Sequence, residues 1–440
     1  MASQFDVVVI GAGFCGVTLA ASLKQFGIER FVVIEKGDSV GTIWKNAYDR
    51  LTLHTPYLAL PFFEPEKRYS IFKTKAEVIS YLTDYANHFQ INSHIRFNEE
   101  VQTIAKVNHL ANSEFNWEIR TNKEILQCKV LAVCTGWNNK PVIPKFSGQD
   151  HYSGQIIHSS QYKNGTSYRG QRVLVVGSGN SAAEIALDLY EHDAANVDML
   201  IRGKRWVFPL YPRLQVLQYW LFKAINSIQK WFNPSKRKLE PMVKIEKILT
   251  FSPEELKQAI DATDRWIKRF AADLSKFSIY PEDIGAMDLE TNQARVAWVD
   301  RGTIKQIKNG NIRVIPSSIK MLNYRSACFE NGETNCYDAI ILATGFRPSI
   351  HTILDQADLY LDADDRYLPK TDGKCRSLVE PTLYFVGFEK TLWRSSTYGH
   401  YGWLTGKRIT AQLANQPIPS KPELTFYKTE LPNFHQFSTP

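Results

Sequence analysis

Two stretches of the chain share one hydrophobic pattern, a short apolar run that ends in a glycine-rich turn and continues as a helix. The first is Val7-Val-Val-Ile-Gly11-Ala-Gly13-Phe-Cys-Gly16, and the second is Val173-Leu-Val-Val-Gly177-Ser-Gly179-Asn180-Ser181-Ala182. Continuous apolar runs of about four to eight residues are typical of buried strands. The repeat therefore predicts two α/β units, each beginning with a strand, a glycine turn and a helix.

The spacing of these glycines predicts two dinucleotide-binding sites. Gly11 and Gly177 allow the tight turn, and Gly13 and Gly179 let the backbone approach a pyrophosphate. The third position, Gly16 in the first unit, lets the helix pack closely on the strand. The phosphates then rest on the N–H groups of the helix N-terminus.

The residues that end the second strand of each unit indicate which nucleotide binds there. The run Arg30-Phe-Val-Val-Ile-Glu35 ends in a carboxylate that can accept hydrogen bonds from an adenosine ribose, which suits FAD or NAD. The equivalent run after Gly177 ends in the cations Arg202, Lys204 and Arg205, which suit the 2'-phosphate of NADPH. The alternative is that these cations only cap a solvated strand end.

Other local patterns extend the two units. Thr74 and Glu77 form a capping-box signature before a run of apolar residues at helical spacing. Buried strands are predicted at 130–134, 339–343 and 383–387, and a closing helix at 399–413. The predicted fold is α/β with two dinucleotide-binding (Rossmann-like) domains, the NADPH domain inserted into the FAD domain. The predicted limits are 1–164 and 325–440 for the FAD-binding domain and 165–324 for the NADPH-binding domain, with a mainly helical insertion at about 206–294.

Composition narrows the choice of protein class. The 440 residues are 44% hydrophobic with a net charge of +8, and no nucleic-acid-binding module is recognisable. No apolar run is long enough to span a membrane, which favours a cytoplasmic protein, although the apolar and basic stretch 214–238 could touch a membrane surface. The six cysteines have neither redox-pair nor metal-ligand spacing, so no metal is expected. They are Cys15, Cys128, Cys134, Cys328, Cys336 and Cys375.

Between the glycine turns, the run Tyr152-Ser-Gly154-Gln-Ile-Ile-His158-Ser-Ser-Gln-Tyr162-Lys163 resembles the fingerprint of the class B flavin-dependent monooxygenases, Phe-x-Gly-x-x-x-His-x-x-x-(Tyr/Phe)-(Lys/Arg). Baeyer-Villiger members have Trp followed by Pro or Asp where this chain has Tyr162-Lys163. Within the class, 48–54 and 338–348 are most similar to the YUCCA-like branch of the flavin-containing monooxygenases. The run Tyr57-Leu-Ala-Leu departs from the plant pattern.

The resemblance implies which residues serve the cofactors. FAD would be held by Gly11, Gly13, Phe14, Cys15, Gly16, Glu35, Lys36, Thr42, Ile43, Trp44, His54, Val101, Thr135, Gly136 and Gly387. NADPH would be held by Gly177, Ser178, Gly179, Asn180, Ser181, Arg202, Lys204 and Arg205, with Ala343, Thr344 and Gly345 where the second domain rejoins the first. His54 and Asn180 are the candidate catalytic residues, and His158 is expected to fix the linker between the domains.

The resemblance also implies an activity. NADPH would reduce FAD, and the reduced flavin would combine with O2 to give a flavin C4a-(hydro)peroxide that oxygenates a small organic substrate. The reaction would be N- or S-oxygenation, or oxidative decarboxylation of a 2-oxo acid. The alternative is a redox sensor or oxidoreductase that binds both nucleotides without oxygen transfer. A disulfide oxidoreductase lacks its cysteine pair here, and the Trp-x-Trp-x-Ile-Pro pattern of flavin halogenases is absent.

Overall fold

The computed structural model describes residues 2–55, 58–66, 68–70, 72–107, 114–209, 252–268, 271, 273–293, 295–363, 367–389 and 394–417. The strands are β1 (Ser3–Ile10), β2 (Phe31–Ile34), β3 (Ile95–Arg96), β4 (Val101–Lys106), β5 (Trp117–Thr121), β6 (Ile125–Val133), β7 (Lys140–Pro141), β8 (Gln155–His158), β9 (Arg172–Val176), β10 (Asn196–Leu200), β11 (Val207–Pro209), β12 (Trp298–Asp300), β13 (Arg313–Ile315), β14 (Ile319–Leu322), β15 (Ser326–Phe329), β16 (Thr334–Cys336), β17 (Ala339–Leu342), β18 (Phe346–Arg347), β19 (Leu361–Asp362), β20 (Leu368–Pro369) and β21 (Leu383–Phe385).

The α-helices of the described residues are α1 (Phe14–Gln25), α2 (Thr42–Asn46), α3 (Lys75–His88), α4 (Asn180–Glu191), α5 (Pro253–Lys268), α6 (Ala286–Gln293), α7 (Thr303–Lys308), α8 (Ala357–Tyr360) and α9 (Arg394–Leu413). Short 3-10 helices cover Asn92–His94, Gln149–His151, Gly165–Tyr168, Ser275–Phe277 and Ile350–Thr352. The predicted capping box is confirmed, because the Thr74 side chain accepts from the backbone N–H of Glu77 while the Glu77 side chain accepts from that of Thr74.

The first sheet has the strand order β3-β2-β1-β6-β5-β4, with β21 paired to the end of β6. Strands β3, β2, β1, β6 and β21 are parallel to one another, whereas β5 pairs antiparallel with both β6 and β4. In β1, Val7 to Ile10 are buried, as expected of a parallel strand covered on both faces. The glycine turn therefore lies at the carboxyl edge of the sheet.

The second sheet is parallel throughout, with the order β13-β10-β9-β17-β8. Strands β8 and β17 both lie outside the limits 165–324 that the sequence predicts for the second domain. β17 lies between β9 and β8, its four residues are all buried, and Asp338 before it accepts two hydrogen bonds from the Arg172 side chain. The predicted limits are therefore too narrow for this sheet, because strands far apart in sequence complete it.

Helices α1 and α9 cross at very short range. A Cβ on Gly402 would lie 2.1 Å from Thr18 Oγ1 and 2.4 Å from the Cys15 carbonyl oxygen. Across the same interface, the Ser22 hydroxyl donates to the carbonyl of Trp403 at 2.7 Å. Glycine in α9 thus lets the C-terminal helix cover α1, which begins at the first glycine turn.

Two further parts of the chain are the predicted insertion, which the structure describes only in part, and the segment that follows α2. Of the predicted insertion, the described residues form β11, α5, α6 and part of the connection between α5 and α6, whereas the candidate membrane-contact stretch 214–238 lies outside the described residues. Within the described residues, no helix has the length and apolar character to cross a membrane. Residues 48–55, called here the bridging segment, leave the first unit after α2 and lie against α4 of the second.

Candidate functional site

The first glycine turn, between β1 and α1, has the form of a dinucleotide site. Gly11 has a φ of +102°, and a Cβ there would lie 2.8 Å from the Cys134 carbonyl oxygen. A Cβ on Gly16 would lie 1.8 Å from the Gly11 carbonyl oxygen, so helix and turn are in direct contact. No side chain caps the N-terminus of α1 at Gly13, which leaves its first N–H groups available to an anion.

Glu35, at the end of β2, faces this turn. Its Oε2 accepts from the backbone N–H of Ala12 and its Oε1 from that of Gly37, each at 2.8 Å. The backbone N–H of Glu99 donates to the Glu35 carbonyl, which brings the start of β4 at Val101 beside the same edge. This is the position in which a carboxylate accepts hydrogen bonds from a ribose.

Helix α2 is attached directly to the turn. The backbone N–H of Gly41 donates to the Ala12 carbonyl at 3.0 Å, and α2 carries the predicted residues Thr42, Ile43 and Trp44. The rings of Phe14 and Trp44 are 6.2 Å apart in an edge-to-face arrangement. The structure therefore brings these residues together, with the Ile43 side chain half exposed.

The loops after β6 and β21 reach the same turn. The backbone N–H of Cys134 donates to the Ile10 carbonyl, which places Thr135 and Gly136 next to Gly11. A Cβ on Gly387 would lie 2.7 Å from Cys15 Sγ, and the Gly387 carbonyl accepts from Trp137 Nε1 at 2.9 Å. Burial raises the pKa of the Cys15 thiol well above its usual value. Lys36 lies farther out, where its exposed ammonium donates to Asn139.

These residues fit FAD by three observations. An added Cβ on Gly13 or on Gly136 would meet no atom of the described residues within 4 Å, so the backbone is open where a ligand must approach. The Thr135 hydroxyl is buried and has no hydrogen-bond partner among the described residues. The third observation is the first turn of α1, which no side chain of the described residues caps. A bound pyrophosphate would accept hydrogen bonds from the uncapped N–H groups and from the unpaired hydroxyl at this edge, and the open backbone leaves room for it.

The second glycine turn, between β9 and α4, has the same construction. Gly177 has a φ of +143°, and a Cβ there would lie 2.3 Å from the Ala343 carbonyl oxygen. Of the described residues, a Cβ on Gly179 would meet only the Arg205 guanidinium, at 3.5 Å, and no side chain among them caps α4. A Cβ on Gly345, which has a φ of +84°, would meet nothing within 4 Å. This edge therefore fits the pyrophosphate of NADPH in the same way.

The three predicted cations near this turn have different surroundings. Lys204 pairs with Asp283 at 2.6 Å, and Arg205 donates to the Val296 carbonyl. Burial lowers the pKa of the Arg205 guanidinium to about 10. Arg202 is exposed and, among the described residues, makes no hydrogen bond or ion pair. Arg202 is therefore the cation best able to turn toward a 2'-phosphate.

His54 lies in the bridging segment and contacts α4. Its Nε2 is 2.6 Å from Oε1 of Glu184, whose side chain is only 2% exposed. The Tyr48 hydroxyl donates to Oε2 of the same carboxylate at 2.6 Å and lies 3.5 Å from the Ser181 hydroxyl. Burial and the neighbouring Glu184 carboxylate raise the pKa of Tyr48 well above its usual value. His54 is thus held against α4 of the second unit.

The other candidate catalytic residue, Asn180, is engaged with the backbone of a neighbouring strand. Its amide nitrogen donates to the Ala297 carbonyl at 3.2 Å, and its amide oxygen accepts from the backbone N–H of Val299 at 2.7 Å. These bonds hold the region of β12 against the start of α4. They give Asn180 a structural role, and its catalytic role stays a prediction.

His158 makes hydrogen bonds at the position where the sequence predicts that it fixes the linker between the domains. It is buried at the end of β8, its Nδ1 accepts from the backbone N–H of Ser160, and its Nε2 lies 3.0 Å from the Gly345 carbonyl oxygen. The Thr344 hydroxyl donates to the Val142 carbonyl, and Val142 N–H donates to Gly345. Burial lowers the pKa of the His158 imidazole. The chain segments that connect the two units are therefore held together by hydrogen bonds between uncharged groups.

Sequence reasoning missed Glu184. It lies in a helix whose neighbouring positions are apolar, and Asp188, one turn later, is also buried and accepts from the Tyr162 hydroxyl at 2.6 Å. The sequence signal for these buried acids was their spacing of four residues within an otherwise apolar run, which places both on the same face of the helix. The described residues contain no cluster of three His, Cys, Asp or Glu that could hold a metal ion.

Comparisons with known proteins agree with this geometry. A family model described as "Pyridine nucleotide-disulphide oxidoreductase" matches residues 8–263, more than half of the chain. Disulfide-reducing enzymes need a reactive cysteine pair, whereas the six cysteines of this sequence have no redox-pair spacing. The match covers both glycine turns.

Curated relatives point to one branch. The chain is 32% identical over 396 residues to "Probable indole-3-pyruvate monooxygenase YUCCA7" of Arabidopsis thaliana, covering 87% of this chain and 82% of that protein. It is 31% identical over 395 residues to "Probable indole-3-pyruvate monooxygenase YUCCA8" of the same plant, covering 87% and 84%.

Solved structures share the fold. The flavin-containing monooxygenase from Stenotrophomonas maltophilia aligns with a TM-score of 0.64 at 17% identity, covering 93% of this chain and 99% of that one. OTEMO in complex with FAD and NADP aligns with a TM-score of 0.68 at 21% identity, covering 94% and 87%. The chain belongs to the pyridine nucleotide-disulphide oxidoreductase family and, within it, to the YUCCA-like flavin-containing monooxygenases, which use FAD and NADPH.

Proposed function

We propose that this monooxygenase oxidatively decarboxylates a 2-oxo acid. One oxygen atom of O2 enters the new carboxylate, the other leaves as water, NADPH is oxidised to NADP+, and the original carboxyl group leaves as CO2. The observation that carries the proposal is the similarity, over 87% of the chain, to proteins named indole-3-pyruvate monooxygenases. N- and S-oxygenation are tested in the same assay. We place the reaction in the cytoplasm, where the free cysteines stay reduced.

The chain's own residues divide the work between the two sheets. The first glycine turn and Glu35 would hold the FAD pyrophosphate and ribose, and the second turn with Arg202 would hold NADPH. When bound, the flavin would supply the electron transfer and oxygen chemistry that the sequence predicts. The open backbone at Gly13 and Gly179 supports this division.

His54 is the proposed catalytic residue that this geometry favours. Its ring is held by a buried carboxylate, and within the described residues its Nδ1 has no hydrogen-bond partner. A fixed imidazole with one unengaged nitrogen can hold or deliver a proton near neutral pH. We propose that Nδ1 is the atom that does so.

The test uses purified protein with bound FAD and measures oxygen transfer directly. Indole-3-pyruvate, phenylpyruvate, a tertiary amine and a thioether are each incubated with NADPH and 18O2. We expect CO2 release and one 18O atom in the product carboxylate with a 2-oxo acid. Oxygenation of the amine or thioether alone would overturn the 2-oxo acid assignment.

The same experiment tests the redox-sensor alternative. A sensor would consume NADPH and release hydrogen peroxide without labelled organic product from any of the four compounds. Arg202→Ala serves as the matched variant, because it should raise the NADPH concentration needed for turnover while leaving the product and its 18O content unchanged.

A further inference from the structure

We infer that Glu184 is a positioning residue that fixes His54 as the tautomer protonated on Nε2, so that Nδ1 is the nitrogen left for chemistry. The catalytic use of His54 rests on the proposed function, whereas the tautomer does not. Nothing in the sequence patterns assigns Glu184 a role.

The first step concerns the carboxylate. Glu184 lies one turn into α4, and its side chain is 2% exposed, so few water molecules can reach its oxygens. Both oxygens are used, Oε1 by His54 and Oε2 by Tyr48, each at 2.6 Å. An ionised carboxylate is only an acceptor. Each of its partners must then present a hydrogen.

The second step concerns Tyr48. Its side chain is buried, and its pKa is raised by burial and by the Glu184 carboxylate, so the hydroxyl keeps its proton. It therefore donates to Oε2 and leaves Oε1 for His54. A histidine that faces an acceptor through Nε2 carries its proton there, because the hydrogen bond of one ring nitrogen sets the state of the other.

The third step concerns geometry between the units. His54 and Tyr48 come from the bridging segment of the first unit, whereas Glu184 belongs to the nucleotide-binding helix of the second. Arg50 in the same segment pairs with Glu191 at 2.8 Å and lies 3.6 Å from Asp188, at the far end of α4. The bridging segment is thus fixed along α4, and Glu184 determines the orientation of the imidazole at one end.

The experiment is nitrogen-detected NMR of the full chain with FAD bound and 15N-histidine incorporated. His54→Asn identifies the His54 signals among those of the ten histidines. We expect Nε2 of His54 to carry the proton of the neutral imidazole. An unprotonated Nε2 in the unaltered protein would overturn the inference, since Glu184 would then be the donor.

Glu184→Gln tests the cause. The amide can donate as well as accept, so the Nδ1–H tautomer should appear, whereas the matched variant Glu191→Gln on the exposed end of α4 should leave the His54 spectrum unchanged. Tyr48→Phe keeps the carboxylate and should also keep the tautomer. An unchanged spectrum in Glu184→Gln, with flavin content and circular dichroism intact, would overturn the inference.

Turnover supplies the second readout. General acid–base catalysis contributes about 10²–10⁴-fold, so Glu184→Gln should lower kcat at least about tenfold while the KM for NADPH changes less than about twofold. An equal change in both parameters would indicate a structural role only. If the protein oxygenates none of the test compounds, the proposed function fails, yet the NMR result still decides the role of Glu184 toward His54.

Discussion

Replacing the buried lysine Lys73 by methionine tests how this protein tolerates an unpaired charge in its interior. Lys73 is 1% exposed, and its ammonium lies 5.2 Å from the Tyr81 ring centroid and 5.8 Å from that of Tyr69. Among the parts of the chain that the structure describes, its ammonium makes one hydrogen bond, to the Leu58 carbonyl, which is long at 3.4 Å. Within the described residues it forms no ion pair.

The structure gives the magnitude of the effect. Burial lowers the pKa of Lys73 from 10.5 to about 8, which corresponds to about 3 kcal/mol at about 1.4 kcal/mol per pH unit. Methionine removes this cost and can contact both rings through sulfur. It also loses the cation–π contacts and the weak hydrogen bond, about 1–2 kcal/mol together. We therefore expect Lys73→Met to be more stable by about 1–2 kcal/mol at pH 7.

The pH dependence provides the sharper test. Because the pKa of Lys73 is lower in the folded chain than in the unfolded one, the unfolded chain binds more protons between about pH 8 and pH 10.5. The cost of the buried charge is therefore complete below about pH 8 and is lost as the pH rises toward 10.5. The advantage of Lys73→Met should shrink over that interval.

The assay is urea unfolding of both proteins at pH 7 and at pH 9.5, followed by tryptophan fluorescence. Lys123→Met, at an exposed position, is the control and should change stability by less than about 0.5 kcal/mol. A Lys73→Met variant that is less stable at pH 7, or one whose difference from the unaltered protein does not depend on pH, would refute the reasoning.

Four further substitutions test the nucleotide sites and the helix crossing. Arg202→Ala should weaken NADPH binding about tenfold to a hundredfold, since a hydrogen bond to a charged group contributes about 1.5–3 kcal/mol. The same substitution should weaken NADH binding less than about twofold. Equal losses of affinity for the two nucleotides, measured by titration, would contradict the assignment. Gly13→Ala should fold, because its Cβ meets no atom of the described residues, yet it should purify without flavin absorbance. Gly16→Ala should not fold, because its Cβ would overlap the Gly11 carbonyl oxygen. A yellow Gly13→Ala protein would mean that FAD binds elsewhere. Gly402→Val should cost about 1–3 kcal/mol or more by overpacking against Thr18, and an unchanged melting temperature would show that the crossing can relax.

The glycine turns and their strands could be predicted from the sequence because the pattern that defines them is local. Gly11 and Gly177 have the positive φ that their turns require, and both lie at the carboxyl ends of buried parallel strands. The limits of the second unit could not be predicted in the same way. Strands β8 and β17 join its sheet through pairing across about 180 residues, and pairing partners leave little trace in a single sequence.

The candidate site shows the same division. The carboxylate at Glu35 and the cations after β10 follow directly from strand ends, so their positions could be read from the sequence. Glu184 could not, because an acid in a helix is normally exposed. Its burial depends on His54 and Tyr48, more than a hundred residues away.

The position of β17 between β9 and β8 has a consequence for how the protein is made. While the chain is being synthesised, β8 emerges early but has no neighbour in its sheet until residues 339–342 leave the ribosome. The first sheet is likewise incomplete until β21 has been synthesised, and α1 stays uncovered until α9 has been synthesised. The edges at both glycine turns therefore become complete only after β17, β21 and α9 have been synthesised. A nascent chain that stalls before β17 would expose the unpaired edges of β8 and β9, which makes it a substrate for chaperones or for aggregation.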